Sequence, residues 1–135
     1  MKKIVLLALF AVILSTVAMA GHQVAVLDGT SWKVDVGPDA MAKQKGEKDY
    51  NEVLTFADGM VSMKEGQKVG FASSHYEVAK SGDKDWTFKS AQDSQSVGQA
   101  VWTGTIHEKN IDGKMIMTRK DGSVLTYTFK GNKLD

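Results

Sequence analysis

His22, His75 and His107 are the only imidazoles in this chain, and no cysteine accompanies them. A zinc site wants three or four ligands, commonly with a close-spaced pair on one element, and no such pair occurs. Nucleophilic catalysis needs a Ser, Thr or Cys positioned beside a base. The serines clustered between Ser90 and Ser96 have no histidine near them in sequence, and there is no Gly-x-Ser-x-Gly elbow. Among the carboxylates, Asp83 and Asp85 flank Lys84, while Asp28, Asp58, Asp112 and Asp121 fall at expected chain reversals, where turn chemistry alone explains aspartate. The glycines are dispersed, not gathered at a strand-to-helix transition as a phosphate cradle requires. These residues therefore name no catalytic group, no metal site and no cofactor. An enzyme would have to assemble His75, His107 and neighbouring acids in space, within hydrogen-bond reach of one another.

The elements that would position such groups follow a leader. Lys2 and Lys3 precede an unbroken apolar run, Ile4 to Leu14, and Ala18-Met19-Ala20 has the small-x-small pattern of a signal-peptidase site. The run is shorter than the roughly twenty apolar residues of a membrane span. Residues 1–20 are thus expected to be a cleaved signal peptide and residues 21–135 one domain, periplasmic or secreted, with no stable membrane insertion after cleavage. His22 would then be the second mature residue, a position where imidazole and free amine hold copper only weakly. Without Lys2 and Lys3 the 17 basic residues fall to one fewer than the 16 acidic ones. That balance lacks the basic stripe of a nucleic-acid binder, so nucleic acid is excluded as a partner.

After the leader the pattern is of strands. Thr30–Val36 alternates, with Trp32, Val34 and Val36 on one face and Lys33 and Asp35 on the other. Gly37-Pro38-Asp39 breaks it. A two-turn helix is expected from Pro38 to a stop at Gly46, with Met41 turned inward as a partial lid. Further strands are expected at Tyr50–Phe56, Met60–Lys64, Val69–Ala79 with a bulge near Ser73-Ser74, Trp86–Ala91, Ala100–His107, Ile111–Thr118 and Val124–Lys130. The polar stretch Gln92–Gln99 reads as either a long hairpin end or a loop. Asp58-Gly59, Ser81-Gly82-Asp83, Asp112-Gly113, Asp121-Gly122 and Gly131-Asn132 supply the positive φ that tight reversals need. The fold class is all-β: an antiparallel up-and-down meander of about eight strands that closes into a barrel so that no edge is exposed.

Leu27-Asp28-Gly29-Thr30-Ser31-Trp32-Lys33-Val34 resembles the opening strand of the lipocalin-like, or calycin, barrels, which begin with a Gly followed closely by a Trp. The resemblance implies a small exported bacterial barrel with one end sealed by Trp32 and the other open to a small apolar molecule. The basic residue that typically packs over that Trp would be Arg119 or Lys130. Fatty-acid-binding relatives hold a carboxylate with Arg-x-Tyr near the C-terminus; here Tyr127 is present and Leu125 stands in the Arg position.

Methionine is flexible and suits irregular apolar space, and residues 21–135 retain Met41, Met60, Met63, Met115 and Met117. A barrel of eight strands is just wide enough to be filled by side chains or to hold one small ligand, and composition is compatible with both. The expected function is non-catalytic binding of a small apolar or amphipathic molecule. Its expected contacts are Trp32, Val34, Leu54, Phe56, Phe71, Trp86, Phe88, Trp102, Met115, Met117, Leu125, Tyr127 and Phe129. Tyr50, Tyr76 and Tyr127 either orient that ligand or place their hydroxyls at the rim, and Thr103, Thr105, Thr126 and Thr128 are expected to face solvent. The alternative is a side-chain-filled barrel that binds an envelope protein through an outer apolar patch including Val53, Val101 or Ile116. The sequence names no protein partner.

Overall fold

A computed structural model describes residues 26–135. The expected leader and His22 lie outside the described residues. Eight antiparallel strands form a closed barrel in simple sequence order: β1 (Thr30–Pro38), β2 (Tyr50–Ala57), β3 (Met60–Met63), β4 (Ser74–Lys80), β5 (Asp85–Ser94), β6 (Gly98–His107), β7 (Asn110–Arg119) and β8 (Val124–Lys133). Closure is by β1 against β8, with Val36 opposite Phe129 and Trp32 opposite Lys133. A short helix, α1 (Ala40–Gln44), follows β1, and a second, α2 (Lys64–Lys68), follows β3. Among the described residues no helix is long and apolar enough to cross a membrane.

Period-two alternation sets the inner face. Trp32, Val34 and Val36 point inward beside Leu54 and Phe56 of β2, and Leu125, Tyr127 and Phe129 of β8 complete that side. The expected outward threonines, Thr103, Thr105 and Thr128, are exposed, and Thr126 is half-buried. The β2–β3 hairpin turns at Asp58 and Gly59, with φ of 55° and 74°, the two positive values that a type I′ turn requires.

Several elements differ from the sequence expectation. Pro38 does not open the helix. It closes β1 opposite Tyr127, a place at the strand end where a missing N–H costs the ladder little. Asp39 caps α1 instead, its Oδ1 accepting from the Ala42 amide at 2.9 Å. The helix stops as expected, with Gly46 at a φ of 91° donating back to the Lys43 carbonyl. Met41 is 68% exposed, and Ala42 is the helix residue that is buried. The helix packs on β1 and β8, and a side chain as small as alanine lets it lie close.

Val69–Ala79 is not one bulged strand. Residues 64–68 are helical, β4 starts only at Ser74, and the apparent change of parity between Phe71 and Tyr76 marks that late start. Gln92–Gln99 is the long hairpin end, shared between β5 and β6. Asp112-Gly113 and Gly131-Asn132 are not turns; both lie within strands, and the β6–β7 reversal falls at Glu108-Lys109. Gly113 faces Gly104 across the ladder, and an added Cβ at Gly113 would lie 2.8 Å from the Phe129 ring. Glycine in these strands serves close backbone approach, not reversal.

Candidate functional site

One end of the barrel is plugged. Trp32 is buried there, its Nε1 donating to Thr30 Oγ1 at 3.0 Å while that hydroxyl donates to the Leu27 carbonyl at 2.6 Å. The turn carrying Leu27 is stapled across the same end. Asp28 accepts from the Tyr76 hydroxyl at 2.6 Å and from the Gly59 amide at 3.0 Å. Asp28 therefore ties the chain start to the β2–β3 hairpin, a tertiary role that its position in a turn did not disclose. Above it, Phe56 stands edge-on to Tyr76 and Phe88, with ring centroids 4.8 and 5.4 Å apart. Phe129 continues the stack toward Trp102, at 5.2 Å. An added Cβ at Gly104 would lie 2.5 Å from Phe88 and 2.9 Å from Phe129, so glycine there makes room for the rings.

The other end holds a cavity of about 330 Å³ inside the mouth, roofed in part by α2. Met63, Phe71, Ala100, Trp102, Met115 and Met117 supply its apolar wall; Tyr50, Glu52 and Gln92 supply polar groups, and Lys68 stands at its rim. Two broader depressions lie on the outside of the barrel wall and are open and charged. One is bordered by Asp35, Asp112, Lys114 and Lys130, the other by Glu77, Lys89, Thr103 and Lys114.

The polar groups of the mouth arise where the strand ladder runs short. β3 pairs with β4 at only two positions, Met60 with His75 and Val61 with Ser74. Carbonyls left without a strand partner would be costly inside the barrel. The inward row of β5 reaches carbonyls on and beside this short ladder: Ser90 donates to the His75 carbonyl at 2.8 Å, Gln92 Nε2 to Val61 at 2.9 Å, and Ser94 to Val69 at 2.8 Å. Glu52, only 3% exposed, plays the matching part for α2, whose own N-cap, Met63, offers no side-chain bond. Glu52 Oε1 accepts from the Glu65 and Val53 amides at 2.7 and 2.9 Å, and Oε2 from Gly66 at 3.1 Å. Burial raises the Glu52 pKa above the ordinary glutamate value, against the lowering effect of those amide bonds. Burial likewise raises the Tyr50 hydroxyl, and the nearby Glu52 and Glu47 charges add to it.

A second glutamate latches the loop after α1 to the barrel. Glu47 accepts from the Tyr127 hydroxyl and, at 2.7 Å, from Arg119. The Tyr127 bond is the larger cause holding the Glu47 carboxyl below its ordinary value; the Arg119 bond and charge act the same way, against burial.

Of the residues expected to contact a ligand, the structure brings Phe71, Trp102, Met115 and Met117 to the cavity. Trp32, Val34, Leu54, Phe56, Phe88 and Phe129 fill the closed end and the waist, and Leu125 and Tyr127 are buried outside the cavity wall. Trp86 is half-buried, with Lys80 over its ring at 5.9 Å. Of the three tyrosines, only Tyr50 lines the cavity. Neither Arg119 nor Lys130 covers Trp32: Arg119 is at the open end on Glu47, and Lys130 is exposed between Asp35 and Asp112. The sequence reading missed Glu52, Met63, Gln92 and α2. The signal for Glu52 and Gln92 was parity, since they share faces with Leu54 and Phe88.

His75 and His107 do not meet. His75 is the second residue of β4 and lies opposite Met60, whereas His107 pairs with Asp85 at the closed end, where Lys84 and Glu108 also lie. The Asp85 hydrogen bond, then its charge, raises the exposed His107 above its ordinary value. Among the described residues no group of three or more His, Cys, Asp or Glu is arranged to hold a metal ion. On the outer wall Val101 is paired with Ile116, which is 42% exposed, but Val53 lies apart beside Lys33. No protein-family model, no curated protein and no solved structure matches this chain.

Proposed function

We propose that this protein is an exported, lipocalin-like barrel that binds one small apolar or amphipathic molecule in its open mouth and does not transform it. The observation that carries the reading is the division of the interior. Aromatic rings pack the closed end and waist, while the mouth keeps about 330 Å³ free between Trp102, Phe71 and three methionines. That volume is at the small end of ligand cavities and equals roughly ten water molecules. Its walls suit adaptable apolar contact, since methionine side chains repack around differing shapes. Membership of the calycin family is part of the same proposal, supported by the Trp32 seal and the closed eight-strand meander.

Titration with 1-octanol, read by tryptophan fluorescence, tests it, because Trp102 stands on the cavity wall. A saturable change that is lost in Ala100→Trp, which fills the mouth, is expected. No saturable change with octanol, or with shorter and longer alcohols, would remove the reading.

A further inference from the structure

Among the described residues, a single buried side-chain polar atom lacks a hydrogen-bond partner: Oε1 of Gln92. Gln92 is 1% exposed and stands on the cavity wall. Its orientation is fixed, because the amide nitrogen must face the Val61 carbonyl to which it donates; a flipped amide would set two acceptors against each other. The unpartnered atom is thus an acceptor, and a buried acceptor left empty is costly in any native structure.

Glu52 lies on the same wall and is also an acceptor. Two amides occupy its Oε1 and one occupies Oε2, which leaves one lone-pair position on Oε2. No cationic side chain pairs with this carboxylate among the described residues. Lys68, the cation at the rim, is engaged by Glu65 at 3.0 and 3.1 Å. The inner wall therefore offers acceptors and a negative charge, so the proton-bearing groups must come from the guest.

We propose that the cavity takes a small apolar molecule whose head is a hydrogen-bond donor, an alkylammonium in preference to an alcohol, directed at Gln92 and Glu52. The inference rests on the mouth being a ligand site and adds the chemistry of its occupant. It also sets this barrel apart from carboxylate carriers: a fatty-acid head would meet two acceptors, and Arg119, the arginine near Tyr127, is already engaged by Glu47.

Three probes with one tail length, octylamine, 1-octanol and octanoate, test this by calorimetric titration of the same protein at neutral pH. The expected order is octylamine tightest, octanol next and octanoate weakest, with about tenfold or more between first and last, as a charge-assisted bond supplies. Gln92→Met should weaken octylamine and octanol by about fivefold and leave octanoate unchanged or tighter. Glu52→Gln should weaken octylamine more than octanol. Circular dichroism confirms that each variant folds, and the order in the unsubstituted protein needs no variant. Octanoate binding as tightly as octylamine would overturn the proposal while leaving the mouth a ligand site. Binding of none of the three would overturn both.

Discussion

At the closed end Trp32 is buried and Phe56 packs ring against ring with Tyr76 and Phe88, whereas at the mouth Trp102, Met115 and Met117 face free space. The strands are the same strands, and their alternation does not change along their length. What changes is the kind of side chain on the inward positions. β5 shows it most clearly: Phe88 is followed inward by Ser90, Gln92 and Ser94, three polar side chains spent on carbonyls of the adjoining wall. A packed aromatic end can carry the stability of the barrel while the other end is left incompletely filled.

That contrast can be broken at four points, taken from the largest expected effect down. Phe56→Ala removes a fully buried ring from the aromatic stack and should cost about 3–5 kcal/mol, whereas Met117→Ala at the half-buried cavity wall should cost less than about 2. Urea denaturation of both variants checks this, and equal losses would dissolve the distinction between the ends. Gly104→Ala forces a methyl into contact with Phe88, Phe129 and the Asp112 carbonyl and should cost about 1–3 kcal/mol by the same measurement. Tyr76→Phe deletes the bond to Asp28 that staples the chain start across the closed end, with an expected loss of about 1–2 kcal/mol. Octanol binding at the mouth should be unaffected.

The smallest effect lies at the open end. Arg119→Ala breaks a partly exposed ion pair with Glu47 and should lower stability by no more than about 1 kcal/mol. Its pH dependence has a definite sign. Glu47 is held below its ordinary value in the folded state, so its contribution is complete above that value and fades as pH falls through the lowered one. The difference between parent and variant should therefore shrink on acidification below the ordinary glutamate range. Glu52 runs the other way: its folded value is raised, so the folded state binds the proton first, and stability declines as pH rises from the ordinary value through the raised one. Urea midpoints of the parent, Arg119→Ala and Glu52→Gln across pH 3 to 7, in the acidic range about the carboxylate values, separate the two contributions.

The barrel itself was legible because its inner face obeys period two and because hairpins such as Asp58-Gly59 carry residues that tolerate positive φ. The same rule misplaced Asp112-Gly113 and Gly131-Asn132, where glycine answers to a neighbouring strand and not to a reversal. The mouth was harder to read. Lys64-Glu65-Gly66-Gln67-Lys68 has a glycine in its middle and no capping residue before it; its helix draws its cap from Glu52, distant in sequence. Gln92 and Ser94 look like surface residues by type; alternation from Phe88 turns them inward, and carbonyls beside the short β3–β4 ladder give them partners there. Of the expected contact residues at the cavity, Trp102, Met115 and Met117 are placed there by strand parity, whereas Phe71 comes from the segment between α2 and β4.

Where β5 and β6 are zipped over ten positions, from Asp85 opposite His107 to Ser94 opposite Gly98, β3 and β4 are joined over two. The cylinder is thus closed by seams of unequal strength, with side chains of β5 serving as stitches across the weakest. Transient opening will begin there, and the backbone amides of Val61 and Tyr76 will exchange with deuterated solvent ahead of those in β6 and β7. A guest need not wait for a lid to swing: the wall can part along its own thinnest join.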